Sequence, residues 1–476
     1  MTHDSRIPHI PPTMSTPLQS AIDDYHALIA RDFAAAEAQL DALQHMQLDR
    51  KVTFGDRAMA HSLRPTFLTE ATYNAVQDTV YLIRQAVLRI AAAFFNDVHT
   101  LKEGLGLEDW EIELAAIPTN VIRLSALSRM DSFMTKDSFK FVEINAESPA
   151  GIAYIHELGR IYRALPLFEA FEKTHPVRFV SPMEHTVASI LRTYHEEFDG
   201  REEHPAFAIV DHLDVPTIHE FNLLKAYFER MGYPCEVIDP RALECRDGWV
   251  YANGRKIDIL YRRLLMNEFY AIKDDCPAFL EGYLAQKTCY LNTFRTKLVH
   301  KKALFSFLTD ERYTALLSRE QQEAVRQHIP WTRMLREQTT TFRGLKIDLI
   351  DFVRSNRKYF VIKPNDEYGG KGVTLGFAAT QAEWEEAIAA SYHAAYVVQE
   401  VVDIHREPFL MKTADGSWDL VPTIIDLDPY LNGPLMGGCL TRTSAGNLAN
   451  VTAGGGTLPM FILRHTYDDF ALRPTR

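Results

Sequence analysis

The stretch that most constrains the fold is residues 359–373, YFVIKPNDEYGGKGV. Residues 359–362 form a short apolar run rich in β-formers and read as a buried strand. Lys363 and Pro364 end it, and Gly369, Gly370 and Gly372 follow around a second lysine, Lys371. Glycines this close together let backbone N–H groups turn towards an anion with no Cβ in the way. A lysine at the strand end adds a point charge beside them. This is a place for polyphosphate. The spacing is neither GxxxxGK(S/T) nor a GxGxxG opening a helix. The bland alternative is a glycine-rich hairpin with two solvated lysines, and the rest of the chain has to decide between them.

At 476 residues the chain exceeds what one compact core can organise, so about two to four domains are expected. A formal net charge of −12 argues against nucleic acid or an anionic membrane as a partner, although a local basic pocket remains compatible with it. The five cysteines form no C-x-x-C pair and no zinc-finger spacing, which points to free thiols in a reducing compartment. No run approaches the length of a membrane span. The Pro-punctuated N-terminus lacks the apolar core of a signal peptide, so residues 1–17 read as a disordered leader and the cytoplasm as the location.

Helical spacing of apolar residues runs over 18–48 and again over 69–95, the latter with Thr69 as a candidate N-cap. Residues 18–115 are therefore read as a helical N-terminal region. From 116 to 175 two strands joined by TKDS precede a helix starting near Gly151. Residues 176–290 alternate strand, helix and strand, with a hairpin at Asn253–Gly254, as a βαβ-like open sheet expected to shape a substrate site. Residues 291–460 combine a helical stretch to about 350 with the glycine-rich β block, and 461–476 read as a tail. The class is mixed α/β (α+β).

The chemistry concentrates on the two strands. Arg129 and Asp131 share one strand face, and Glu143 and Asn145 share one on the next, because strand side chains alternate. If the strands pair, two carboxylates, an amide oxygen and a guanidinium converge. Such hard oxygens suit Mg²⁺, and the arginine suits a transferring phosphoryl group. A solvated hairpin with an ordinary ion pair is the alternative.

Arg-x-Asp, Glu-x-Asn and the following Pro149-x-Gly151 resemble the metal and γ-phosphate site of ATP-grasp ligases, and Lys-Pro with Gly-Gly-Lys-Gly is similar to their phosphate loop. The metal segment comes first here, an order resembling the circularly permuted ATP-grasp proteins related to glutathionylspermidine synthetase. HKKALFSFL (300–308), VVQEVV (397–402), GGCLTRTS (437–444) and NVTAGGG (450–456) fit the same group. The resemblance implies that Asp131, Glu143 and Asn145 hold one or two Mg²⁺ ions, and that Arg129 and Arg442 stabilise the moving phosphoryl. It implies Lys302 (Lys301 being the neighbouring possibility) and Lys363 on ATP phosphates, Gly369, Gly370, Lys371 and Gly372 as a lid, and Gln399, Glu400, Val401 and Val402 as an adenine hinge. Glu407 or Asp403 would take the ribose, and Asn450 the second metal or the substrate. Glu367 and Ala153–Tyr154 depart from the family pattern and bear on substrate contacts.

Outside the resemblance, Arg262 and Arg263 end a strand of the open sheet, where ligands bind, and could hold an acidic substrate; paired surface arginines are the alternative. His212, also at a strand end, reads as structural. The activity implied is an ATP-dependent carboxylate–amine ligase forming an acyl phosphate and releasing ADP and phosphate, with small-molecule or peptide acids and amines as partners. An ATP-dependent phosphotransferase on a small acid or hydroxyl, and a nucleotide-binding scaffold, are the other readings. Nothing in the sequence names the substrates or the oligomeric state.

Overall fold

The computed structural model describes residues 16–446 and 455–464; residues 1–15 of the leader expected at 1–17, and Asn450, lie outside them, while residues 16 and 17 open the first helix. Helical spacing over 18–48 proves to be two helices, Thr16–Ala30 and Phe33–Asp49. Asp32 divides them: its backbone is extended and its side chain accepts from the Ala35 N–H, an N-cap that starts a new helix. Thr69 caps helix Glu70–Phe94 by accepting from the Thr72 N–H, as the sequence suggested. The strand before it, Thr66–Thr69, pairs in parallel with Met460–Leu463, the middle strand of a three-stranded sheet completed by Val177–Arg178. Residues read as a tail from 461 therefore begin in the core, where Phe461 and Ile462 are fully buried. Their ladder partners lie far away along the chain, and no local pattern reveals such a pairing.

Strands β1 (Leu127–Met134) and β2 (Phe139–Asn145) form the expected antiparallel hairpin, with Arg129 opposite Asn145 and Asp131 opposite Glu143. Gly151 starts the next helix, Ile152–Arg163, at φ 94°. A Cβ there would meet the Tyr430 hydroxyl at 2.9 Å, so both the conformation and the space call for glycine.

Strands β3 (Phe207–Val210), β4 (Cys235–Ile238), β5 (Ile259–Arg262) and β6 (Cys289–Leu291) make an all-parallel sheet in the order β6-β5-β3-β4. Continuous apolar runs such as FAIV suit strands covered on both faces. Asn253 and Gly254, both at positive φ, turn the predicted hairpin on its flank.

The stretch read as largely helical over 291–350 contains strands as well. β7 (Thr332–Met334) is one, and Thr339–Phe342 with Leu345–Asp348 form a hairpin. Threonine-rich TTTF favours the pleated conformation. With β8 (Phe360–Pro364), β9 (Thr374–Leu375) and β10 (Tyr396–Glu400), β7 builds a four-stranded sheet ordered β7-β10-β8-β9. Finally β11 (Arg406–Lys412), β12 (Trp418–Ile425), β13 (Asp428–Asn432) and β14 (Leu435–Ser444) join β1 and β2 in the order β11-β12-β14-β13-β1-β2. Gly456–Leu458 adds to β14. Segments far apart in sequence, 127–145 and 406–444, thus share one sheet.

Candidate active site

The hairpin brings its four polar residues together. Arg129 grips Asp131 with two parallel bonds, Nε to Oδ1 at 2.7 Å and a terminal nitrogen to Oδ2 at 2.9 Å. Arg442 of β14 donates to Oδ2 at 2.9 Å, and the Asn145 amide to Oδ1 at 3.0 Å. Burial raises the Asp131 carboxyl pKa, but Arg129 and Arg442 outweigh it and keep the group ionised. Its four lone-pair positions are all engaged. Glu143 is more open: Lys302 Nζ lies 3.3 Å from Oε2, and the Asn145 amide is 3.4 Å from Oε1. Its pKa is also lowered, Lys302 overcoming the cost of burial.

Lys302 sits in the turn Lys301–Ala303 before the helix Leu304–Thr309, not on a helix as read from 300–308. The turn splits the two lysines. Lys302 faces Glu143, whereas Lys301 bonds Glu111 at 2.8 Å and Asp366 at 2.9 Å. Lys363, at the end of β8, donates to Gln399 Oε1 at 2.8 Å. Burial lowers its pKa to about 8, with Glu143 opposing the shift. Gln399 is thus a side-chain support for Lys363, held in turn by Thr332 Oγ1 at 3.0 Å.

Gly369, Gly370 and Gly372 all have positive φ, at 69°, 75° and 70°. At Gly372 a Cβ would also lie 2.7 Å from Pro364 Cγ. Lys371 is exposed and 3.3 Å from Glu367. The loop overlooks a cleft of about 440 Å³ whose lining includes Arg129, Glu143, Asn145 and Arg442, then Tyr368 and Gly369, then Asp211 and Arg263 at the C-terminal ends of two parallel strands, and Glu268 on the helix Met266–Ile272.

Other expected residues fall differently. Arg262 is 1% exposed and spends its donors on Glu147, Thr296 Oγ1 and the Asn292, Thr293 and Leu264 carbonyls. It is neither a surface nor a ligand arginine, because its side chain points back into the sheet's support. Arg263, one residue on, lines the cleft; it bonds Pro149 O at 2.7 Å and Glu220 at 3.3 Å, and its buried Nε has no partner among the described residues. Glu407 is paired with the buried Arg64, which lies over Phe409; the residue is absent from the cleft lining, so a ribose contact has no geometric basis. In the hinge, the Glu400 and Val401 N–H groups already donate to the Trp331 and Tyr359 carbonyls. Adenine recognition through those two amides is therefore corrected. Glu400 also pairs with Arg343, while Val401, Val402 and Asp403 border a second groove with Trp331 and Lys140.

Sequence reasoning missed Asp426 and Asp428. Both are buried, and Arg442 lies 2.6 Å from Asp426 and 3.0 Å from Asp428. Burial raises the Asp426 pKa to about 7 against the pull of Arg442, and raises that of Asp428 further above the carboxylate range. The DLD spacing was visible; its convergence on Arg442 was not.

Next to this site lies a second ionic cluster. Glu147, His300 and Asp366 place ligand-type atoms within 4.8 Å of one another. Lys297 Nζ contacts Glu147 at 3.1 Å and Asp366 at 2.7 Å, with Lys301 also on Asp366. Ammonium groups already fill the position a metal would take.

Carboxylates and arginines on one sheet, Lys302 beside Glu143, and Lys363 with a glycine loop at the end of a strand of a second sheet make up an ATP-grasp architecture with its segments in permuted order. Residues 130–444 match the family described as circularly permuted ATP-grasp type 2, and the chain belongs to that family. It is 24% identical to an uncharacterized protein of Mycobacterium leprae over 92% of this chain and 79% of that one. An uncharacterized protein of Mycobacterium tuberculosis strain H37Rv is 23% identical, over 92% and 80%. Among solved structures, a glutathione synthetase-like effector of Globodera pallida in its apo form superposes with a TM-score of 0.59, at 12% identity, over 90% of this chain and 96% of that one. That likeness concerns the fold. No described helix is long and apolar enough to cross a membrane.

Proposed function

We propose that the protein is an ATP-dependent ligase joining a carboxylate to an amine through an acyl phosphate, with release of ADP and phosphate. The observation carrying this reading is that Lys302 and the charge of Lys363 bear on Glu143, which lines one cleft together with Asn145, Arg129, Arg442 and Gly369 of the glycine loop. Carboxylate attack on a γ-phosphoryl group brings two anions together, so the barrier falls where fixed cations already face them. Arg129 and Arg442 are held in place by Asp131, Asp426 and Asp428, which removes most of the cost of orienting them during the reaction.

The donor set fits Mg²⁺. Glu143 is ionised and incompletely engaged, and turning the Asn145 amide would present its oxygen and free a lone pair on Asp131. Bound there with ATP, the ion would neutralise β- and γ-phosphate charge. Lys302 and Lys363 would take phosphate oxygens in exchange for Glu143 and Gln399. The loop at 365–373 would close over the labile intermediate and exclude water. The Val401 carbonyl with Val402 and Asp403 would supply the edge for adenine, and Arg263 a cation for an acidic substrate.

The test incubates purified protein with Mg-ATP and a panel of carboxylic acids, using hydroxylamine to trap acyl phosphate as hydroxamate. Acid-dependent hydroxamate and ADP are expected, and Glu143→Gln, Asp131→Asn and Lys363→Ala should abolish both without unfolding the protein. Mg-ADP should also raise the melting temperature. Turnover unchanged in all three variants, or no stabilisation at millimolar nucleotide, would remove the site assignment. Phosphate transfer to an alcohol with no hydroxamate from any acid would make the protein a phosphotransferase.

A further inference from the structure

At the end of the cleft formed by the parallel sheet the charge balance reverses. Asp211 follows β3 directly, and its N–H extends the ladder to Ile238 O. Arg263 follows β5 beside it. Ligands of open parallel sheets bind at these strand ends.

The acids elsewhere around the cleft are matched. Asp131 has Arg129 and Arg442, Glu143 has Lys302, and Glu220 has Arg263. Asp211 is different. It is 8% exposed, yet it forms no ion pair among the described residues. Among the described residues its one side-chain hydrogen bond is accepted by Oδ1 from the adjacent His212 N–H, at 2.7 Å. Oδ2 belongs to a cleft-lining side chain and has no hydrogen-bond partner among the described residues.

A largely buried carboxylate that no ion pair holds is costly to keep charged, and a cation arriving in the cleft would offset that cost. Burial accordingly raises the Asp211 pKa to about 6, only partly offset by Arg263. Glu268, which also lines the cleft, caps the Leu265 N–H at 2.8 Å and likewise lacks a basic partner among the described residues. Tyr368 of the glycine loop feels the charge of both acids, so the loop that overlooks the phosphates also reaches this end.

We infer that this acidic end is the amine subsite: Asp211 binds the ammonium form of the amine co-substrate, Glu268 adds attraction, and Tyr368 covers it. The inference rests on the ligase reading and extends it to a cationic amine. The ammonium proton passes to Asp211, giving a free amine lone pair. Nitrogen attacks the acyl carbon, the C–N bond forms, and the C–O bond to phosphate breaks with its electron pair leaving on phosphate. The second N–H proton departs with that phosphate, so charge and atoms balance.

The experiment compares the full-length protein with Asp211→Asn, Asp211→Glu and Glu268→Gln. Acids from the hydroxamate screen are paired either with hydroxylamine, which is largely uncharged at neutral pH, or with a series of alkylamines and diamines, which are cationic. Asp211→Asn should lower kcat/KM for the cationic amines at least tenfold. Hydroxamate formation and the Mg-ADP melting shift should stay within twofold, and Asp211→Glu should recover part of the loss. Equal losses with hydroxylamine and with cationic amines, or no loss with either, would overturn the subsite while leaving the ligase reading intact. Absence of hydroxamate from the wild type with every acid would defeat the ligase reading and this subsite with it.

Discussion

Two ionic clusters lie side by side in this protein, built from residues that are neighbours in sequence. One holds Asp131, Glu143, Lys302 and Lys363; the other holds Glu147, Lys297, Lys301 and Asp366, with Arg262 on Glu147. Lys301 and Lys302 part company at one turn, as Arg262 and Arg263 do at one strand end. The second cluster is closed: Glu147 is fully buried, and Lys297 and Arg262 are 1% exposed. The first opens into a cleft. Similar charges therefore serve different ends. In the closed cluster every charge has a permanent partner, which fixes Asp366 at the root of the loop and the turn at 301–303 relative to β2. In the open cluster the partners are exchangeable, and substitution should change chemistry more than stability.

The largest effect that sharpens this contrast is expected from Glu147→Ala. Removing Glu147 leaves buried Arg262 with no carboxylate and takes one of three from Lys297, which keeps Asp366 and Glu111, at a cost of about 3–5 kcal/mol, read from the denaturant midpoint. A loss well below 1 kcal/mol would mean that the closed cluster does not hold the fold. Next comes the lysine pair. Lys302→Ala should cut ATP turnover by roughly 10²–10³-fold with little change in melting temperature, whereas Lys301→Ala should lower the melting temperature and spare turnover per folded molecule. The reverse pattern would exchange their assignments.

Asp211 tests the open side by its linkage to pH. Its folded pKa of about 6 lies above the ordinary 3.8. Below the ordinary value the carboxyl is protonated in both states and costs nothing. As pH rises through about 6 the folded state must carry a buried anion, and stability is lost. Asp211→Asn should therefore stabilise the protein by up to about 3 kcal/mol at pH 7, and by nearly nothing at pH 4. Equal effects at both pH values would show that Asp211 carries no buried charge.

The smallest expected effect concerns Lys363, whose pKa is lowered from 10.5 to about 8. Between those values the free folded protein holds fewer protons than the unfolded chain. Nucleotide binding that needs the ammonium must then take up a proton. Mg-ADP affinity should weaken by up to about tenfold per pH unit above 8, and titration calorimetry in Lys363→Ala should lose that slope.

The hairpin and the glycine loop were legible because their information is local. Alternation puts Arg129 with Asp131 and Glu143 with Asn145, and three glycines at positive φ leave few other conformations for the loop. The burial of residues 460–463, the strand at 66–69 and the strands within 291–350 were not legible, because short apolar or β-branched runs have no strong period and acquire their ladders from distant partners. Glu407 and Arg262 show the same limit at single residues. Each has the right type at a plausible position, and each is claimed by a buried partner, Arg64 or Glu147, that no spacing rule reveals.

The sequence by itself determined the family, the permuted order and the residue types suited to phosphate and metal, because motif chemistry is written in short stretches. Only the tertiary structure decided which of two adjacent lysines faces Glu143, which of two adjacent arginines faces the cleft, which aspartates hold Arg442, and which cleft carboxylate is left without an ion pair. Those outcomes depend on where a side chain finds its counter-charge, and counter-charges here come from segments the chain brings together only on folding.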